Sequence, residues 1–134
     1  MAPNLVSHSC TVCSAGPGSD PVAVETRRAE RVYMSSIVVG ELLFGFRDGR
    51  RYAENRSQLE AFLANRFVEL LAVTLTTADR SGLICAALKR KGTPIPSADI
   101  GIAAHALETG ADLVSFDGHF SHVDGLAFVH LGEP

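Results

Sequence analysis

The chain has 134 residues, a length that suits one domain around one hydrophobic core. Its 46% apolar and 20% charged residues are an ordinary globular mix, and a formal net charge of -3 gives no bulk electrostatic sign of a nucleic-acid binder, though local patches matter more than totals. No apolar run could span a bilayer, the N-terminus lacks the pattern of a signal peptide, and three cysteines suggest no disulfide scaffold, so the expectation is a reduced, cytoplasmic protein.

In chain order, residues 1–19 stand apart: they are small, polar and Gly/Pro-rich. From 20 onward the pattern is regular. Ser19 or Asp20 can cap a short helix with Pro21 in its first turn. RVYMS (31–35) reads as a strand. Ser35 or Ser36 then caps the apolar helix IVVGELLFGF, which Gly49 helps to end. In residues 51–66, Tyr52, Leu59, Phe62 and Leu63 fall at helical spacing. FVELLAVTL (67–75) is a β-type run. Thr76 or Thr77 caps the helix that follows, and Gly92 stops it. SADIGIAAHALET (97–109) is a further helix closed by Gly110, and DLVSF and LAFVHL are short strands. Alternating helices and apolar strands predict an α/β sandwich around a mainly parallel sheet, in a single domain over 1–134.

Three acids stand out against this pattern. Asp99 opens an apolar helix, Asp117 follows an apolar strand, and Glu41 lies within an apolar helix. Ligands in parallel α/β folds sit beyond the carboxyl ends of the strands, where Asp117 falls and to which the Asp99 helix can reach. Three carboxylates there suit a divalent cation such as Mg²⁺, a hard ion that takes oxygen ligands and assists attack on a phosphodiester. Each acid also has a simpler reading. Asp99 complements a helix dipole, Asp117 is a turn residue before Gly118, and Glu41 pairs with Arg47 or Arg80. It is the three together, at matching element ends, that favour a site.

SSIVVGELLFGFRDG, IPSADIGIAAHALETGADLVSFDGHF and VDGLAFVHL resemble the PIN domain, and more closely its VapC-like ribonuclease toxins of type II toxin–antitoxin systems. The resemblance covers residues 20–131. It implies a three-layer α/β/α sandwich, Mg²⁺- or Mn²⁺-dependent cleavage of RNA, a homodimer and a cognate antitoxin peptide. By resemblance Glu41, Asp99 and Asp117 are catalytic metal ligands, and Ser115 is the small hydroxyl residue two before the last acid. The departure is at the start. The family's first strand ends in Asp, but no acid precedes Asp20 here, and Ser9 falls in the acid's place within an atypical first strand. This implies a nuclease weakened by the loss, or alternatively a catalytically inactive module that binds an antitoxin or RNA.

The remaining candidates are weaker. His8, Cys10 and Cys13 form HSCTVC, but no second cluster completes a zinc site. Cys85 reads as a small core residue, and His105 as packed or surface rather than a ligand. His119 could touch a phosphate, though a local structural role is the better reading. Arg47, Arg50 and Arg51 fit a solvated loop. If the Glu41 helix starts at an acidic pocket, Arg47 instead lies where a flanking phosphate would pass. Phe44, Phe46 and Tyr52 are the aromatics available to an antitoxin or a dimer partner.

Overall fold

The computed structural model describes residues 4–6, as backbone only, and 31–131. Among these, β1 (Asn4–Val6), β2 (Val32–Ser35), β3 (Val68–Leu71), β4 (Asp112–Ser115) and β5 (Phe128–His130) form one sheet in the order β3-β2-β1-β4-β5. Every pairing is parallel, and Val6 is aligned with Met34 on one side and Val114 on the other. The helices are α1 (Ser36–Arg47), α2 (Tyr52–Leu63), α3 (Leu75–Lys91) and α4 (Ser97–Thr109). β2 to β3 runs outward on one side of β1, while β3 to β4 crosses back to the other. Right-handed crossovers therefore place α1–α2 and α3–α4 on opposite faces, giving the expected α/β/α arrangement. The three-residue β1 occupies the centre of the sheet. The expected helix after Asp20, the HSCTVC segment and Ser9 lie outside the described residues.

Packing explains the elements. In β4, Leu113, Val114 and Ser115 are all buried, as a central parallel strand requires. α4 is buried continuously from Asp99 to Ala106 and packs over β1 and β4, so its apolar character on every side reflects a core position. Met34, Val38, Ile102, Leu113 and Phe120, all fully buried, belong to the main cluster beneath it.

Two polar side chains are locked into this core. Ser35 Oγ accepts the Ile37 N–H at 3.1 Å, capping α1 as expected, and lies 2.9 Å from His105 Nδ1. His105 Nε2 lies 3.1 Å from the Ala72 carbonyl, which can only accept, so Nε2 carries the hydrogen and Ser35 donates to Nδ1. His105 is thus a fully satisfied core histidine joining α4, the β2–α1 junction and the segment after β3.

Three expectations are corrected. The cap of α3 is Thr74, not Thr76 or Thr77. Thr74 Oγ1 accepts from Thr77 N, and Thr77 Oγ1 accepts from Thr74 N, at 3.3 and 3.1 Å. This capping box starts the helix at Leu75, before the polar pair that drew attention in the sequence. Cys85 is exposed because the buried stripe of α3 runs through Thr77, Ile84 and Leu88, and the residue after Ile84 is rotated off it. Phe46 is buried on the Val38–Leu42 face of α1, so of the α1 aromatics Phe44, at 74% exposure, is the one available to a partner.

The cap correction is testable. Thr74→Ala is expected to cost about 1 kcal/mol in urea denaturation, whereas Thr76→Ala at an exposed position should fall within about 0.5 kcal/mol of the parent. Equal effects of the two substitutions would return the cap to Thr76.

Candidate active site

The chain leaves β1 toward β2 on one side, and β4 lies against β1 on the other, so the topological switch point falls between β1 and β4. The crevice beyond the carboxyl ends of these strands is where α/β sheets of this kind bind ligands. Asp117 is two residues past β4, and Asp99 is in the first turn of α4.

Local chemistry fixes Asp117. Ser115, fully buried at the end of β4, accepts the Asp117 N–H on its Oγ at 2.9 Å. Asp117 Oδ1 in turn accepts the His119 N–H at 2.9 Å and caps a short 3-10 turn, Gly118–His122. That turn is pinned by Phe120, fully buried and tilted against the Phe128 ring at 5.8 Å. Ser115 therefore holds the Asp117 backbone in place.

Asp99 is 2% exposed. The α4 N-cap is Pro96, which offers no side-chain cap, so a first-turn acid also complements the helix dipole. The dipole reading of Asp99 and the site reading are thus compatible. His119 Nδ1 lies 3.1 Å from Asp99 Oδ2 and 2.9 Å from Asp117 Oδ1. One ligand atom each from Asp99, Asp117 and His119 can be chosen within 4.8 Å of one another. The donor set, two carboxylates and an imidazole nitrogen, suits a divalent cation.

Two of the three expected acids are therefore brought together, and a histidine that sequence reasoning assigned to a local structural role joins them. Its signal was its position two residues after Asp117, the reach of an Asp-capped turn. Glu41 is not one of the three; it is half-buried in the second turn of α1. Arg47 ends α1, donates to Tyr52 Oη at 2.9 Å, and places its guanidinium 4.2 Å from the centre of that ring. Arg56 donates to the same hydroxyl at 2.8 Å, so Arg47 belongs to an exposed Arg–Tyr–Arg corner.

A family model described as PIN domain matches residues 17–126. Ribonuclease VapC2 of Rickettsia felis is 31% identical over 84 residues, which is 63% of this chain and 61% of the relative. The tRNA(fMet)-specific endonuclease VapC of Salmonella typhimurium is 34% identical over 85 residues, 63% of each chain. The matched stretch thus spans less than two thirds of these relatives. A solved structure, VapBC2 from Rickettsia felis bound to a promoter DNA fragment, superposes with a TM-score of 0.82 at 24% identity, covering 97% of this chain and 99% of the other.

Proposed function

The chain belongs to the PIN domain family, and from that premise we propose that it is an endoribonuclease of the toxin type, dependent on Mg²⁺ or Mn²⁺ and cleaving RNA phosphodiesters. The observation that carries this is the meeting of buried Asp99 with Asp117 at the switch point of the sheet. The two similar proteins named as a ribonuclease and an endonuclease point the same way.

Asp99, Asp117 and Glu41 would hold the ion. The packing of α1 on α4 supports the part given to Glu41. Ser35 meets His105, and a Cβ built on Gly101 would overlap Ile37 Cδ1. Going out along α1 thus means going back along α4. Glu41 follows Ile37 by one turn on the same face, so it is carried toward the first turn of α4, where Asp99 stands. A bound divalent ion supplies charge neutralisation at the phosphodiester and activation of the attacking water. The chain's own residues set the geometry. Ser115 fixes the Asp117 backbone, burial fixes Asp99, and the polar rim is left for RNA, with Arg47 far enough along α1 to reach a flanking phosphate.

The proposed partners are RNA, a second copy of the chain and an antitoxin segment. The antitoxin would bring an Arg to the acids, a charge-assisted pairing. Exposed Phe44 and Leu75 supply apolar surface for association. Among the described residues no helix is long and apolar enough to cross a membrane, which fits the proposed cytoplasmic setting.

A second reading, favoured by the absence of an acid before Asp20, is the inactive antitoxin- or RNA-binding module. One experiment separates the two: incubation with single-stranded RNA in EDTA, Mg²⁺ or Mn²⁺, with melting followed in parallel. The nuclease reading expects ion-dependent fragments, weak in yield, that disappear in EDTA. Ion-induced stabilisation without fragments selects the binding module. If millimolar Mn²⁺ changes neither melting nor RNA, the metal site as drawn is wrong.

A further inference from the structure

We propose that His119 Nδ1 is itself a ligand of the divalent ion, beside Asp99 Oδ2 and Asp117 Oδ1, and that this nitrogen makes the site prefer Mn²⁺ over Mg²⁺; the inference rests on the reading of this crevice as a divalent-cation site.

The spacing carries the argument. Neighbouring ligands around an octahedral ion with bonds of about 2.1 Å are about 3.0 Å apart. His119 Nδ1 is 3.1 and 2.9 Å from the two carboxylate oxygens. Without an ion, the Nδ1 hydrogen can go to Asp99 Oδ2 while Asp117 Oδ1 holds the His119 backbone N–H. A cation among the three atoms would take the place of the Nδ1 hydrogen, with the same atoms already at the spacing of neighbouring ligands.

The placement of the ring is also built rather than incidental. The His119 backbone N–H is held by Asp117 Oδ1, and its neighbour Phe120 is fully buried, so the turn aims the imidazole from a fixed base. The His119 side chain remains half-exposed. By contrast, His105 has both ring nitrogens committed to core partners and cannot serve.

The consequence is selectivity. Mg²⁺ takes hard oxygen ligands and holds its waters tightly, whereas imidazole suits first-row transition ions. An all-carboxylate site would bind either ion on charge, but a site with one nitrogen discriminates.

The test uses the full-length protein and Mn²⁺ as a paramagnetic probe. Pulsed electron paramagnetic resonance is expected to show a ¹⁴N coupling to bound Mn²⁺ in the parent, lost in His119→Gln. In calorimetric titrations His119→Gln is expected to weaken Mn²⁺ binding about tenfold and Mg²⁺ binding less than about twofold, within the range that altered metal-site partners produce. Bound Mn²⁺ with no ¹⁴N coupling in the parent overturns the ligand role and leaves the metal-site reading standing. A coupling that persists in His119→Gln also overturns it, because the nitrogen is then another. Failure of the parent to bind Mn²⁺ at all removes the site reading and this inference together. The parent measurement decides the matter even where the variant folds poorly.

Discussion

Asp99→Asn is expected to abolish the stabilisation of the protein by Mn²⁺ while leaving the ion-free fold intact. The substitution keeps the shape of a side chain that is 2% exposed and removes its charge. Two opposing effects meet here. Without an ion, the second carboxylate in the crevice repels Asp99 while His119 Nδ1, 3.1 Å away, offers it a partner, so Asn should change the ion-free stability little. With an ion present, the same charge is the strongest attraction the site offers. An ion at a hundred times its dissociation constant contributes about 2.7 kcal/mol to stability, which Asp99→Asn should forfeit. RNA cleavage should fall by at least about a hundredfold, because loss of a ligand displaces the reacting groups. Melting curves in EDTA and in Mn²⁺, with cleavage measured on the same samples, check both halves. An Mn²⁺ shift of parental size in Asp99→Asn would remove this residue from the site. A variant already unfolded in EDTA would show that Asp99 serves the fold first.

Much of this molecule was legible in its sequence, for identifiable reasons. The strands and helices were marked by period and punctuation: Ser35 capping α1, Gly92 and Gly110 in left-handed conformation ending α3 and α4, and short apolar stretches at β2 and β4. That Asp99 and Asp117 come close to one another was legible in their places at the edges of apolar elements. What escaped were features that depend on rotation about an axis or on partners distant in sequence. Cys85 looks apolar and helical, but only the packing of α3 decides which side of Ile84 faces the core. Phe44 and Phe46 look alike, yet their two-residue separation turns them to different sides of α1, and only Phe46 is buried. His105 pairs with Ser35 and Ala72, and no local pattern announces contacts across such separations. His119 fell between these cases. Its backbone bond to Asp117 is local and was open to inference, but the ring's approach to Asp99 needs the tertiary placement of α4 against the turn.

The gain expected from Ser9→Asp is of comparable size and opposite sign. β1 lies between β2 and β4, so its carboxyl end opens on the same crevice as Asp117. Val6 is aligned with Val114, and Ser9 follows Val6 by as many residues as Asp117 follows Val114. By the family resemblance the first-strand acid would fall at Ser9, where an acid is expected to complement Asp99 and Asp117. A serine hydroxyl is neutral and binds a hard cation more weakly than a carboxylate does. We expect Ser9→Asp to tighten Mn²⁺ binding at least about tenfold. We also expect cleavage to rise about a hundredfold, the scale on which a displacement of about 1 Å in a catalytic group changes rate. Added negative charge should lower stability in EDTA and raise it in Mn²⁺, a reversal that no purely structural effect produces. Titration calorimetry, melting with and without ion, and RNA cleavage read the three consequences separately. Tighter binding without cleavage would leave the antitoxin- or RNA-binding reading in place. No change in either would show that the first strand delivers a different residue to the crevice. Vigorous cleavage by the unmodified chain, abolished by Asp99→Asn, would mean that the three remaining acids suffice.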